Sequence, residues 1–308
     1  MAQPAFACIA VDWGSSNRRA WALGQGGEIL QQRADGKGLL AHADRNFAPS
    51  LAIFLADWLA AAPGIPVIMA GMVGSRMGWV EVPYLPAPLA LTNLARHLRR
   101  AGEIGGSACW IVPGVSLDDA VQPEVMRGEE CQMLGAILAG DMRSRLFVLP
   151  GTHSKWARVE DGRLLSFRTY LTGELFDLLS RSGTLAQLMA GDGEDAAAFA
   201  RGVAASQDAQ LLNRLFSVRS LALFNRLSGA APRSYLSGLL VGTEMRDALA
   251  AWPVGLETGA VCIGSAAMIG RYGAAAAQVG LALRGFDNES ILPRALHWIG
   301  CEAGLIGR

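Results

Sequence analysis

The sequence lacks an excess of charge of either sign. Its 308 residues include 27 Lys or Arg and 27 Asp or Glu, without a marked run of like charges. Such a chain has no field to attract a nucleic acid or an anionic membrane. It also lacks an apolar run near the ~20 residues that cross a bilayer, and its start does not resemble a secretory signal. The sequence therefore predicts a cytoplasmic protein with no nucleic-acid or membrane partner.

Patterns that bind transition metals or form disulfides are absent as well. The five cysteines contain no CxxC pair, and the four histidines form neither HxH nor HExxH. Cys8, Cys109 and Cys262 lie in short apolar runs typical of buried strands. We therefore expect reduced, buried thiols and no zinc site.

The apolar runs and turns of the chain follow a regular order. Hydrophobic residues make up 51% of it, enough for a sizeable core. The pattern reads βββαβαβα and then restarts, with a helix expected at 91–100 and a strand at 279–283. This order predicts two α/β halves, residues 1–140 and 141–308, facing each other across a cleft. A final helix at about 289–304 is expected to pack back on the first half.

A turn rich in glycine and small polar residues follows the first strand. Glycine lets a ligand approach the backbone, and the N–H groups and hydroxyls of such a turn can bind phosphate oxygens. Asp12 can hold Mg²⁺ through water, because Mg²⁺ dehydrates reluctantly. An ordinary hairpin turn uses the same residue types, so this run alone does not separate the two interpretations. The candidate phosphate-binding residues here are Gly14, Ser15, Ser16, Asn17 and Arg19.

A second turn of the same kind follows the strand at 146–149. Two such turns, one from each half, favour a clamp around the phosphates of a nucleotide. The sequence has no GxxxxGK[ST], and the glycines at 24–27 do not open a helix, which argues against a P-loop or a dinucleotide-binding fingerprint. The candidates in this turn are Gly151, Thr152, His153 and Lys155.

Six segments together resemble the 2-dehydro-3-deoxygalactonokinase family of the actin-like ATPase and sugar kinase superfamily. They are AVDWGSSNRR at 10–19, VIMAGMVGS at 67–75, VMRGEE at 125–130, LPGTHSKW at 149–156, LTGEL at 171–175 and LSGLLVG at 236–242. The resemblance implies an α/β, two-domain actin-like ATPase fold, ribonuclease H-like and duplicated, with an interdomain cleft. It also implies a phosphotransferase with an alcohol acceptor, using ATP and Mg²⁺.

The implied reaction phosphorylates 2-dehydro-3-deoxy-D-galactonate on its terminal 6-hydroxyl, in galactonate catabolism. A kinase for another sugar acid or sugar stays open, as does an actin-like ATPase without a small-molecule acceptor. The partners are thus a small sugar acid and ATP, and a homodimer is compatible with the sequence.

A carboxylate beside the acceptor hydroxyl is needed for this chemistry. In carbohydrate kinases related to glycerol kinase, a Gly-Asp pair opens the corresponding helix, and its Asp is the base. By resemblance Glu129, after Gly128, is the candidate base, with Asp12 and Glu130 as competitors. The alternative is that the two glutamates only complement the helix dipole.

The acceptor's carboxylate calls for a cation, and arginine suits it best. Arg76, Arg127 and Arg168 are candidates, and Arg127 is preferred because it neighbours the expected base. The long loop at 71–88 is expected to form part of the sugar pocket. The candidate substrate-binding residues are Gly71, Met72, Ser75, Tyr84, Arg127 and Glu130. In the superfamily a glycine turn of the second half lies under the adenosine, which points to Gly264 and Ser265.

Overall fold

The computed structural model describes residues 6–140, 146–189, 193–208 and 210–307. Residue contacts divide the chain into two compact units: Met1–Met142, Glu160–Ser166 and Asn288–Arg308 form the first, and Arg143–Val159 and Phe167–Asp287 the second. The expected boundary at 140 and 141 borders residues 141–145, which lie outside the described ranges. No helix in the described ranges combines the length and apolar character needed to span a bilayer.

The first unit is built on a six-stranded sheet in the order β3-β2-β1-β4-β8-β7. Strands β1, β4 and β8 run parallel, whereas β2, β3 and β7 are antiparallel to their neighbours. A small sheet, β10-β9-β5, lies in the same unit. The elements are β1 Cys8–Trp13, β2 Arg18–Leu23, β3 Ile29–Asp35, α1 Phe47–Phe54, α2 Ala56–Ala61, β4 Val67–Ala70, β5 Leu85–Pro86, β6 Leu89–Ala90, β7 Arg99–Ile104, β8 Ser107–Ile111, β9 Val115–Leu117, β10 Glu124–Met126 and α3 Glu129–Leu138, with 3-10 turns at Leu39–Ala41, Met72–Gly74 and Leu91–His97.

The second unit contains five strands in the order β15-β14-β11-β12-β13. Strand β11 is antiparallel to β12 and parallel to β14, which is parallel to β15. The elements are β11 Leu146–Leu149, β12 Ser154–Glu160, β13 Arg163–Tyr170, α4 Thr172–Arg181, α5 Gly183–Ala186, α6 Ala196–Ala205, α7 Leu211–Leu223, α8 Ala231–Ala251, α9 Val254–Thr258, β14 Ala260–Gly264, α10 Ala266–Val279 and β15 Leu283–Asp287; the start of β13 belongs to the first unit.

The two sheets repeat one plan. In each, a first strand is followed by two antiparallel strands on one side, while two later parallel strands extend the other side. The first strands, β1 and β11, are apolar and almost fully buried, as expected for central strands of a sheet covered on both faces. The last helix, α11 at Asn288–Glu302, packs against α3 in the first unit.

Two predicted elements were wrong. Residues 91–100 do not form an α-helix: a 3-10 turn ends at His97, and β7 then pairs with β8 through a turn at Gly105 and Gly106, both with positive φ. These glycines supply the conformation that a tight hairpin needs. The expected strand at 279–283 begins only at Leu283, because α10 continues to Val279 and ends at Gly280 in the left-handed conformation. The segment between β3 and β4 forms two consecutive helices, α1 and α2, with Leu55 between them.

Candidate functional site

The first turn is fastened through its backbone and presents its side chains to solvent. The Gly14 N–H donates to the Asn17 carbonyl at 3.0 Å, and the carbonyls of Gly14, Ser15 and Ser16 accept N–H bonds of 3.0 to 3.1 Å from residues 38–40. Ser15, Ser16 and Asn17 are exposed. A turn fixed in this way keeps hydroxyl and amide groups at the surface in a set arrangement, as an anion site requires.

Asp12 and Arg19 face each other across β1 and β2. The Arg19 guanidinium donates to Asp12 Oδ2 at 3.0 Å and to Glu289 Oε1, from α11, at 3.2 Å. Burial raises the pKa of the Asp12 carboxyl, the positive charge of Arg19 opposes that shift, and the negative charge of Glu129 adds to it. Asp12 therefore sits in a small cluster of charges that also includes Glu129.

The neighbouring cation, Arg18, has a structural role. Its side chain is buried and pairs with Asp35 at 2.7 Å. The guanidinium also lies over the ring of Phe54, 4.0 Å from its centroid, and donates to Ser50 Oγ. Arg18 thus fastens β2 to α1, while Arg19 carries the accessible charge.

Gly71 lies between Asp12 and the start of α3. A Cβ on Gly71 would lie 3.3 Å from Asp12 Oδ1, and a Cβ on Gly128 would lie 3.4 Å from the Gly71 Cα. Gly128 itself has φ +114°, a conformation that residues with a side chain rarely adopt. These contacts bring Asp12, Gly71 and the Gly128-Glu129 pair together.

The two adjacent glutamates have different surroundings. Glu130 is fully buried, and both of its carboxylate oxygens accept from the Gly128 N–H at 2.8 Å. Glu129 is half-buried, and its Oε2 accepts from the Arg127 N–H at 3.0 Å. Of the two, only Glu129 has a surface that an external hydroxyl can reach, whereas Glu130 holds the backbone at the start of α3.

Burial, reinforced by the charge of Glu129, raises the pKa of Glu130 from 4.5 to about 7. The folded state therefore binds more protons than the unfolded state between these two pH values. The free energy of unfolding should accordingly fall as the pH rises from about 4.5 to 7. Glu130→Gln cannot ionise, so the stability of the wild type relative to this variant should decrease over that range, as measured by urea unfolding. A stability difference that does not change with pH would contradict the shifted pKa.

Arg127 has buried donors that no described residue satisfies. Its Nη2 donates to the Val82 carbonyl at 2.7 Å, and the guanidinium lies over the Tyr84 ring, 4.4 Å from the centroid. Its Nε and Nη1 are buried, and within the described ranges they have no hydrogen-bond partner, nor has the buried Ser75 Oγ. Unpaired buried donors are costly, and a planar guanidinium is well suited to a carboxylate.

The other two candidate arginines differ from Arg127. Arg76 is exposed. Arg168 belongs to the second unit, where it lies 3.8 Å from Asp247 Oδ2 and over the Trp252 ring. Met72, also expected in the sugar pocket, is half-buried and packs against the core of the first unit.

The second turn is fastened to the start of α4. The Glu174 N–H donates to the Thr152 carbonyl at 3.0 Å, and the Glu174 carboxylate hydrogen-bonds His153 Nε2 at 2.6 Å. Gly173 is needed for this close approach, because a Cβ there would lie 2.3 Å from the Gly151 carbonyl oxygen. Gly151, Thr152 and His153 are exposed, whereas Lys155 is largely buried.

Gly264 and Ser265 lie beside this turn. A Cβ on Gly264 would be 3.9 Å from Pro150 Cδ. Ser265 precedes α10, and its Oγ accepts from the Met268 N–H at 3.4 Å. Gly264 is therefore close to the residue that precedes the second turn, and Pro150, Gly151 and Met268 line a common cavity.

Sequence reasoning missed the partners of several predicted residues. Glu289 contacts Arg19 although the two residues are 270 positions apart in the sequence, and no local sequence pattern predicts this pair. Glu174 stood inside the segment LTGEL and could have been noted as the first acidic residue of a helix. The described residues contain no group of three His, Cys, Asp or Glu side chains suited to hold a metal ion.

Comparisons with known proteins are consistent over nearly the whole chain. The family model described as 2-keto-3-deoxy-galactonokinase matches residues 12–299. A probable 2-dehydro-3-deoxygalactonokinase of Rhizobium meliloti (strain 1021) is 36% identical over 93% of this chain and 94% of its own length. The 2-dehydro-3-deoxygalactonokinase of Escherichia coli (strain K12) is 37% identical over 79% of this chain and 81% of its own length.

Solved structures confirm the fold. The crystal structure of a candidate 2-dehydro-3-deoxygalactonokinase from Sinorhizobium meliloti has a TM-score of 0.88 and 36% identity, covering 95% of this chain and 98% of that one. The activator of a 2-hydroxyisocaproyl-CoA dehydratase from Clostridium difficile, at 14% identity and a TM-score of 0.53 over 96% and 95% of the two chains, shares the fold alone. The expected α/β, two-domain actin-like fold is confirmed, and the chain is a member of the 2-keto-3-deoxy-galactonokinase family.

Proposed function

We propose that this protein transfers the γ-phosphate of ATP to the 6-hydroxyl of 2-dehydro-3-deoxy-D-galactonate, with Mg²⁺ as cofactor. The observation that carries the proposal is the pair of buried Arg127 donors, Nε and Nη1, that no described residue satisfies, next to an accessible glutamate at the start of α3. An arginine fits an acidic acceptor, and a glutamate fits a hydroxyl that must lose its proton. The names of the two curated relatives support this choice of acceptor.

The acceptor would bind in the first unit. Arg127 and Ser75 would hold its carboxylate, since both carry buried polar atoms that no described residue satisfies. Tyr84, which is 38% exposed and lies against Arg127, would contact the carbon chain of the sugar acid. Gly71 and Met72 would line the same pocket. Glu130 would support this pocket by accepting the Gly128 N–H at the start of α3.

ATP would be held by exposed turns of the kind that bind anions. In the first unit these groups are the turn at 14–17 and Arg19, and in the second they are Gly151, Thr152, His153 and the cation of Lys155. Gly264 and Ser265 would contact the adenosine. A cavity of ≈ 610 Å³ within the second unit, lined in part by Phe176, Arg233 and Arg271, has the size of a small-molecule pocket.

Asp12 would hold Mg²⁺ in the first unit. Its carboxylate fits because it is partly exposed, and Mg²⁺ in kinases typically takes one or two carboxylates and leaves its other positions to water and phosphate. When bound, the ion would neutralise charge on the phosphates. Glu129 would accept the proton of the acceptor hydroxyl, while Arg19 and Lys155 would add positive charge near the phosphates. ATP as donor supports a cytoplasmic location, and so do the buried Cys8, Cys109, Cys131 and Cys262, which form no disulfide within the described residues.

The test is a coupled assay of ADP release. We expect ADP release to require both Mg²⁺ and a 2-dehydro-3-deoxy sugar acid, with the galactonate compound preferred in a panel of related acids and neutral sugars. Equally fast release without any acceptor would favour an ATPase. Preference for a neutral sugar would keep the kinase and reject the proposed acceptor.

A further inference from the structure

One buried acidic residue takes no part in the chemistry proposed above. Glu244 lies on α8 with 2% of its surface exposed. Its Oε1 accepts from Ser154 Oγ at 2.7 Å and from Trp156 Nε1 at 2.6 Å. The Tyr272 hydroxyl lies 3.1 and 3.0 Å from its two oxygens, and the Thr172 side chain hydrogen-bonds the same carboxylate.

The partners of Glu244 stand on the segments that carry the nucleotide-binding candidates. Ser154 and Trp156 begin β12, directly after the second turn. Thr172 is the first residue of α4, whose start is fastened to that turn. Tyr272 lies on α10, which begins just after Gly264 and Ser265. One carboxylate thus joins the phosphate turn to the helix that follows the adenosine candidates.

Side chains alternate between the two faces of a β-strand, so the contact of Glu244 with Ser154 and Trp156 also bears on Lys155. Residues 154 and 156 point to one face of β12, and residue 155 points to the other. Glu244 holds both flanking side chains, and the Lys155 side chain leaves the opposite face of the strand. A buried carboxylate is costly to keep unless its oxygens are fully hydrogen-bonded, and the rest of the buried face of α8 nearby is apolar, including Leu240, Val241 and Met245.

We propose that Glu244 is the positioning residue of the second phosphate-binding turn. Through Ser154 and Trp156 it orients the turn and Lys155 toward the phosphates of ATP. Through Tyr272 it holds α10 in a fixed position relative to this turn. The inference rests on the proposed function only in that ATP is the ligand of this turn. It does not depend on the identity of the acceptor.

The test compares Glu244→Gln with Ser154→Ala. Each removes part of the hydrogen bonding at the turn while keeping the size of the core close to that of the wild type. We expect both to weaken ATP binding about tenfold, the factor that corresponds to 1.4 kcal/mol, by titration calorimetry and as KM for ATP, with KM for the acceptor within twofold of wild type. Glu244→Leu should bind ATP more weakly still, and glutamine should recover part of that loss. Ser154→Ala keeps α8 intact if the leucine variant fails to fold.

Glu257→Gln is the matched control, because Glu257 is exposed on α9 of the same unit and should bind ATP as the wild type does. Unchanged ATP binding in both Glu244→Gln and Ser154→Ala would overturn the inference. So would a lower melting temperature accompanied by equal losses for ATP and acceptor, which indicates a merely structural role. Failure of the wild type to bind ATP would instead reject the donor half of the proposed function, and failure only in the acceptor panel leaves the Glu244 test intact.

Discussion

Replacing Glu129 with glutamine is expected to lower kcat by about 10²–10⁴-fold, the usual worth of a general base, with KM for ATP nearly unchanged. The half-buried carboxylate of Glu129 is accessible at the start of α3, close enough to Asp12 for its charge to raise the pKa of that carboxyl. Glutamine keeps the size and the hydrogen bond from the Arg127 N–H but cannot take a proton. Steady-state kinetics with saturating Mg²⁺ would measure the effect.

Two comparisons make this result specific. Glu28→Gln, at an exposed position of the same unit outside the loop at 71–88, should leave kcat unchanged. Glu130→Gln should act mainly on stability, because Glu130 is fully buried and its two oxygens share a hydrogen bond from the Gly128 N–H. A large loss of kcat in Glu130→Gln but not in Glu129→Gln would move the base to Glu130. If neither glutamine variant slows turnover, Asp12 becomes the leading candidate.

Replacing Arg127 with lysine is expected to raise KM for the sugar acid by about 10–100-fold, because hydrogen bonds to charged groups are typically worth about 1.5–3 kcal/mol. Lysine keeps the positive charge but loses the planar pair of donors that the buried Nε and Nη1 provide. A neutral analogue without the carboxylate should bind the wild type poorly and be affected little by the substitution. KM values for both acceptors at saturating ATP would measure the difference.

The control and the competing position are both in the first unit. Arg99→Lys, on the exposed start of β7, should leave both KM values unchanged. Arg76→Ala tests the exposed alternative, and an effect there in place of Arg127 would relocate the carboxylate site. Equal losses for the acid and for the neutral analogue in Arg127→Lys would show that this arginine supports the pocket without binding the carboxylate.

Local sequence was sufficient where short-range physics decides the structure. The first strand, before the turn at 14–17, and the strand at 146–149 were predicted correctly, because strand periodicity and turn chemistry are local. Local secondary-structure propensity was insufficient at 91–100, where the pairing of β7 with β8 outweighed a helical pattern. It was also insufficient at 279–283, where Gly280 set the end of α10.

The sequence by itself determined the duplicated α/β plan, the two phosphate-binding candidates and the resemblance to a kinase family, since these follow from periodicity, glycine turns and ordered motifs. Only the tertiary structure decided that Glu130 is enclosed while Glu129 is accessible. It also decided that Arg18 is fastened to Asp35, while Arg127 has buried donors that none of the described residues satisfies. It also brought Glu289 to Arg19 and Glu244 to Ser154, 90 residues away. Burial and pairing of charged groups depend on which distant segments pack together, and side chains of the same type therefore differ in role according to the neighbours that the fold supplies.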